Sequence, residues 1–246
     1  MIRGIYSAAS GLLAQMARQL AISNNLANLN TPGYRQDLTS LREYPGLDLF
    51  RLYDGQAAQV GELGAGVATE LGVVDLSQGA LVDTGNPLDL AISGPAFFAV
   101  QTPEGIRYTR DGSFSRSAQG ILVNALGFPV LGEGGTPIQL PDGEVTVDGD
   151  GTITAGGQQV GRLLLAEFQP GQLRKAGSNL FEALGAGGTA ANSAVNQGFL
   201  EMANVDVPQA VVDMMAATRS YEASLRLLQM QDEILSKSVN EIGRTV

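Results

Sequence analysis

Oxygen ligands crowd closest at Asp148-Gly149-Asp150-Gly151-Thr152, and the chemistry this stretch invites is calcium binding. A helix-loop-helix calcium loop opening at Asp148 would need a bidentate Glu at its twelfth position, and Gln159 stands there instead. A tight hairpin turn is the better reading. The run GELGAG from Gly61 to Gly66 is glycine-rich, but without a following Lys-Ser/Thr it lacks the groups that hold a nucleotide phosphate. Asp83, Asp89, Glu104 and Asp111 could supply paired carboxylates for glycoside chemistry. They are scattered among turn residues, where Asp serves backbone hydrogen bonding. The chain has neither His nor Cys. Imidazole bases, Ser-His-Asp triads, thiol nucleophiles, disulfides and the common zinc sites are therefore excluded. We expect no catalytic residue, no metal site and no cofactor.

Composition narrows the partners. The formal charge of −10 argues against a nucleic-acid or anionic-membrane surface, because phosphate binding needs clustered Lys and Arg. A length of 246 residues with 44% hydrophobic content suits one large or two modest globular domains. The 32 glycines and few aromatics favour turn-rich β structure. The opening MIRGIYSAASGLLAQMARQL has one basic residue near its start and an apolar run broken by Ser7, Ser10 and Gly11, so it is not expected to be a cleaved signal. No stretch approaches the length of a membrane-spanning helix, and no membrane insertion is expected.

The elements that must position any working surface fall into zones. Residues 2 to 28 are helical by period, with Ile2, Ile5, Tyr6, Ala9, Leu12, Leu13, Met16, Leu20 and Leu26 on one stripe. Ala8, Ala14, Ala17 and Ala21 keep much of the remaining surface small, which suits a closely packed neighbour. The helix must end before Pro32, where Pro32-Gly33 suits a turn. Its last turns carry Asn24, Asn25 and Asn28, neutral amides able to donate and accept at once. Residues 35–65 show no clean period and read as an irregular connector. Residues 66–185 read as an all-β domain of short apolar runs separated by turns such as Gly85-Asn86-Pro87 and Asp111-Gly112. A Gly/Ala/Asn-rich linker is expected over 186–203.

The carboxyl-terminal zone, 204–246, reads as one long helix with Asp206 as its cap and Pro208 in its first turn. Its heptad d row is Met214, Tyr221, Leu228, Leu235 and Ile242; its a row is Val211, Thr218, Leu225, Asp232, Val239 and Val246. Arg219 and Glu222 are three apart and neighbour each other on the surface. The fold class is thus mixed α and β: a central all-β domain flanked by terminal helices that pair as a coiled-coil-like stem. Residues 1–34 and 204–246 would form one discontinuous helical domain. The residues alone leave open whether the two stripes pair within one chain or between chains. They also leave open a β-domain binding module with a helical dimerisation stem.

A resemblance sharpens this. SAASGLLAQ (7–15), NNLANLNTPGY (24–34), NPLDLAISGPAFFAV (86–100), YTRDGSFSRSAQGILVNALGFPVL (108–131) and QGFLEMANVDVPQAVVDMMAATRSYEASLRLLQMQDEIL (197–235) follow one family's order and spacing. The chain resembles a flagellar basal-body rod protein of the rod, hook and hook-associated axial family. Tyr34 stands where Phe is common, and Ala203, Ser220 and Ser224 also depart from the usual pattern. The length resembles a distal rod or long proximal rod protein. The resemblance implies a non-enzymatic building block, exported unfolded by the flagellar type III apparatus and stacked as a helical tube outside the cytoplasmic membrane. Its implied partners are copies of itself, adjacent rod and hook subunits and the export apparatus. The expected self-assembly residues are Ile5, Leu12, Met16, Leu20, Asn24, Asn25, Leu26, Asn28, Pro32 and Gly33 at the amino end. At the carboxyl end they are Met214, Arg219, Tyr221, Glu222, Leu225, Leu228, Leu235 and Ile242, with Arg219, Tyr221 and Glu222 setting register between subunits.

Overall fold

The computed structural model describes residues 2–53, 56–64, 66–169, 171–185, 188–189 and 193–242. Helix α1 spans Ile2–Ala27 and helix α2 spans Val207–Ile242, with a β-rich centre between them. α1 stops five residues short of Pro32, which cannot continue the helical hydrogen bonding. The chain then bends through Thr31-Pro32-Gly33-Tyr34, closed by Tyr34 N–H donating to Thr31 C=O at 3.3 Å. Proline in the second position and Gly33 at φ +66° in the third make this a type II turn. α2 begins directly after Asp206 with Pro208 in its first turn, where a missing N–H costs nothing.

The chain clusters into two units. The first comprises Met1–Asn24, Asp37–Val73 and Val207–Val246. Within it α1 and α2 run antiparallel: Arg18 pairs with Asp213 at 3.2 Å, Gln19 Nε2 donates to Thr218 Oγ1 at 3.2 Å, and a Cβ on Gly4 would sit 3.2 Å from the Gln231 side chain. The same unit holds two β ribbons. β1 (Asp37–Glu43) pairs with β4 (Val67–Val74), and β2 (Leu47–Tyr53) forms an antiparallel hairpin with β3 (Gln56–Leu63). Ser10 Oγ on α1 accepts from Val67 N–H at 3.2 Å, fixing β4 against the helix.

The segment expected to be irregular is therefore largely strand. Its period is hidden because β2 sets Leu47 and Leu49 on one face and Phe50 and Leu52 on the other, so apolar and polar residues do not alternate. A register shift opposite Leu49/Phe50 blurs the pattern further. Leu52 is 80% exposed.

The second unit comprises Asn25–Gln36 and Val74–Asp206. Its strands are β5 (Leu81–Asp83), β6 (Leu90–Ser93), β7 (Ala96–Thr102), β8 (Gly105–Thr109), β9 (Ser115–Arg116), β10 (Leu122–Val123), β11 (Val145–Val147) and β12 (Thr152–Ala155). They continue as β13 (Gln158–Arg162), β14 (Leu165–Glu167), β15 (Leu173–Gly177), β16 (Leu180–Ala183), β17 (Gly188–Thr189), β18 (Ala194–Gln197) and β19 (Phe199–Glu201). The largest sheet has the order β15-β16-β8-β7-β14-β17. β7, the AFFAV run, lies inside it and is buried on both faces, as a continuous apolar run predicts. Phe98 packs on Phe114 at a 5.0 Å ring separation in the larger core, and Phe97 packs on Phe181 at 5.6 Å in the smaller one. Adjacent residues of one strand thus organise two cores.

The linker expected over 186–203 needs correction. Its latter half forms β18 on β6 and β19 on β5, because Val195 and Glu201 alternate into the interior while small residues fill the turns. Residues 25–34, expected with the helices, cluster with the β structure.

Candidate self-assembly surfaces and the buried arginine cluster

The interface between α1 and α2 mixes large, small and polar side chains. On α2 the row meeting α1 is Met214, Tyr221, Leu228 and Leu235, the expected d row, interleaved with Ala210, Ala217, Ser224, Gln231 and Ser238. Ala217 is fully buried. On α1 the contacts to α2 come from Gly4, Arg18 and Gln19, and Ala14 and Ile22 are buried. Polar side chains cross between the helices at Arg18–Asp213 and Gln19–Thr218, and the Gln231 side chain lies against Gly4. Of the expected a row, Val211, Leu225, Asp232 and Val239 are exposed, Thr218 is half-buried against Gln19, and Val246 lies outside the described residues. Ile5, Leu12 and Leu26 are half-buried. Ile242 has its side chain outside the described residues.

The apolar face of α1 does not meet α2. Tyr6, Leu13 and Leu20 are 70%, 68% and 61% exposed, and Met16 lies beside them in solvent. α2 likewise leaves Leu227, Met230 and Ile234 exposed. Arg219 and Glu222 are exposed, and Glu222 lies 4.0 Å from Arg226, one turn on. A pair of this kind is worth a few tenths of a kcal/mol.

The asparagines divide. Asn24 is exposed and its Nδ2 donates to Asp37 Oδ2 at 3.4 Å within the helical unit. Asn25 is buried, and its Oδ1 accepts from Tyr34 Oη at 2.9 Å within the β unit. Asn28 Oδ1 accepts from Thr31 Oγ1 at 3.3 Å. Two of the three amides therefore brace the Pro32-Gly33 turn.

That turn leads into a feature that sequence patterning did not disclose. Arg35, Arg110 and Glu201 are all buried, and Arg35 Nη2 lies 2.6 Å from Glu201 Oε1 while Arg110 Nη1 lies 3.1 Å from Oε2. Glu201 Oε1 also accepts from Gly79 N–H at 2.8 Å, and its carbonyl accepts from Gly33 N–H at 2.6 Å. Arg110 donates to the carbonyls of Ile92 and Gly94 and lies over the Phe97 ring. Burial pushes the Arg110 pKa down to about 10, with the nearby Arg35 adding to the fall and Glu201 opposing it. Arg35 Nε and Nη1 have no hydrogen-bond partner among the described residues. Two buried guanidinium groups thus share one carboxylate.

Around the cluster, Lys175 Nζ donates to Arg35 C=O at 2.7 Å, Asn179 Nδ2 to Pro32 C=O at 2.7 Å, and Gln36 N–H to Asn204 Oδ1 at 2.8 Å. Asn204 Nδ2 in turn donates to Asp75 C=O at 3.1 Å. The segment 32–36 and the segment 201–204 are therefore sewn to one another and to Gly79, Arg110, Lys175 and Asn179. The signal available in the sequence was a lone glutamate in the apolar context GFLEMAN, without any local cue to its partners.

The carboxylates considered for catalysis serve their own turns. Asp83 Oδ1 accepts from Gly85 N–H, Asp89 from Thr84 and Asn86, and Glu104 pairs with Arg107 at 3.3 Å. Asp150 accepts from Thr152 N–H and Oγ1 in the hairpin between β11 and β12. Burial raises the Asp111 pKa; hydrogen bonds from Ser113 oppose the rise and the Asp89 charge adds to it. The native state then holds the Asp111 proton more tightly than the unfolded chain does. Its charge costs stability progressively as pH rises from the ordinary Asp range through the raised value. Asp111→Asn keeps the Oδ1 acceptor for Ser113, so we expect a gain of up to about 1 kcal/mol at pH 7 and a flatter acid limb in thermal melts. A loss of stability at pH 7 would contradict this.

Three family models match the chain: a flagellar hook protein FlgE/F/G D1 domain over residues 91–155, a flagellar basal body rod FlgEFG protein C-terminal region over 196–242, and a flagella basal body rod protein over 5–35. Among curated relatives, the flagellar basal-body rod protein FlgG of Bacillus subtilis is 32% identical, covering 98% of this chain and 99% of its own. The flagellar basal-body rod protein FlgF of Rhizobium meliloti is 33% identical, with 99% of both chains covered. The flagellar hook-basal body complex protein FlhO of Bacillus subtilis is 32% identical over 99% of this chain and 100% of its own.

Proposed function

The chain belongs to the flagellar basal-body rod protein family, and on that premise we propose that it is a distal rod subunit, exported unfolded and polymerised into a helical tube through its terminal helices. Membership itself makes it a structural subunit of the flagellar basal body that assembles with other rod and hook subunits. The observation that supports polymerisation is the solvent-facing row Tyr6, Leu13, Met16 and Leu20 on a helix already paired with α2. A contiguous exposed apolar surface marks an interaction site. Each copy would meet further copies of itself, the flanking rod and hook subunits, and the type III export apparatus on its way out of the cytoplasm.

Complementation tests the reading. The full chain is expected to restore rods and swimming to cells lacking their distal rod subunit and not to cells lacking the proximal one. Rescue of the proximal deletion alone would overturn the distal assignment. A chain lacking residues 206–246 is expected to build no rod; rods from that truncation would overturn assembly through the helices.

A further inference from the structure

Four Asp-Gly pairs fall among the described residues, at Asp111, Asp142, Asp148 and Asp150. Such a pair can rearrange, because glycine brings no side chain to shield its nitrogen or restrict its backbone. The Gly nitrogen attacks the Asp Cγ, a five-membered succinimide closes, and the carboxyl OH leaves with the nitrogen's hydrogen as water. A second water then opens the ring. Cleavage between Cγ and nitrogen restores Asp. Cleavage between nitrogen and the former peptide carbonyl leaves isoaspartate, with the main chain running through Cγ. One water leaves and one returns, so no oxidant or cofactor is required. The reaction does require a nitrogen that is free and a backbone that can turn to present it.

The fold sorts the four pairs. At Asp111 the carboxylate accepts from Ser113 N–H and Oγ, and Gly112 C=O accepts from both Leu90 and Phe114 N–H. Gly112 is also wedged so closely that a Cβ there would lie 1.6 Å from Leu90 C=O. At Asp148 the N–H donates to Thr152 C=O, the C=O accepts from Gly151 N–H, and Gly149 C=O accepts from Val195 N–H. At Asp150 the nitrogen that would attack is that same Gly151 N–H, already donating at 2.9 Å, and Thr152 holds both carboxylate oxygens. Asp142 differs. Its side chain is 97% exposed, and neither Asp142 nor Gly143 makes a backbone–backbone hydrogen bond among the described residues. Gly143 sits at φ +139°, in a loop tethered through its side chains by Arg116 Nη1 at 2.6 Å from Asp142 Oδ1.

We propose that Asp142-Gly143 is a self-modification site, at which the folded chain converts aspartate to isoaspartate while the other three pairs are protected. The inference goes beyond the proposed function and does not depend on it. The product lengthens the main chain by one atom between two anchors, the buried Leu140 and the half-buried Val145 that opens β11. Gly143 also passes close to the next hairpin, where a Cβ on it would lie 3.1 Å from Gly156 Cα. The neighbouring bond from Gly156 N–H to Glu144 C=O, at 3.1 Å, is the one this extra atom displaces.

Ageing the purified full-length chain tests this. Samples held for weeks at physiological temperature and pH are digested, and isoaspartate in each peptide is measured by enzymatic methyl transfer to its free carboxyl group. Asp142 is expected to accumulate isoaspartate at least about tenfold faster than Asp111, Asp148 or Asp150, which react only through local opening. In urea that unfolds the chain, the four sites should react at similar rates, which separates the fold from the dipeptide. Isoaspartate appearing first at any of the other three, none at Asp142, or the same preference in urea would overturn the proposal. Asp142→Glu, which would need a six-membered ring, should abolish the signal in that peptide; a persisting signal would place the reaction elsewhere. Aged chains should also lose hydrogen-exchange protection at Gly156 N–H, and equally aged Asp142→Glu chains should keep it. Full protection in isoaspartate-bearing chains would refute the effect on β11.

Discussion

Glu201→Ala is expected to destabilise the β unit by about 3–5 kcal/mol, the cost of stranding a buried charge whose partner is removed. The substitution deletes the carboxylate that touches both buried guanidinium groups, at 2.6 Å from Arg35 and 3.1 Å from Arg110. It also removes the acceptor of Gly79 N–H. Because Glu201 is what holds the Arg110 proton against burial, its loss drives the Arg110 pKa further down. Urea unfolding followed by far-ultraviolet circular dichroism reads the effect without a tryptophan, which the chain lacks. A midpoint within error of the unsubstituted protein would mean that the arginines are hydrated and the cluster is not a buried charge system. The combined replacement of Arg35, Arg110 and Glu201 by apolar residues should recover much of the loss, since such clusters are often no more stable than well-packed hydrophobic ones.

Gly33→Ala is the second large effect, for a different reason. A Cβ at this position would lie 2.3 Å from Arg110 C and Asp111 N, both backbone atoms that cannot move aside cheaply. The residue also sits at φ +66°, where an L side chain costs roughly 1–2 kcal/mol. Overpacking adds about 1–3 kcal/mol, so a total loss of about 2–5 kcal/mol is expected. Gly127→Ala separates the two contributions: its φ is +82°, but nothing lies within 4 Å of the added methyl group. It should cost only the backbone part. Equal losses at the two sites would show that the close approach of Gly33 to Arg110 and Asp111 contributes nothing.

The terminal helices and the β centre were readable because each announces itself locally. The three-to-four spacing of apolar residues marks α1 and α2, and Pro32-Gly33 marks where the first must end. Turn residues punctuate the β unit. Three things escaped that kind of reading. The interface between the helices uses Gly4, Arg18, Gln19, Asp213, Thr218 and Gln231 around the buried Ala14 and Ala217, whereas period analysis gives weight to the largest apolar side chains, several of which here face outward. The β2–β3 hairpin carries apolar residues on both faces, so its period of two is invisible. The arginine cluster joins residues far apart in the chain, Arg110 and Glu201 being 91 positions apart, and no local pattern can report such a pairing.

That last separation has a consequence for the order of events as the chain is made. Synthesis delivers Arg35 and Arg110 long before Glu201, so a growing chain holds two guanidinium groups destined for burial and no carboxylate to accompany them. Burying either alone is unfavourable by several kcal/mol. The loop that must close between Gln36 and Asn204 spans 168 positions, and its closure entropy is met only when the far end arrives. The buried charge cluster of the β unit therefore cannot be completed until residues 201–204 have emerged.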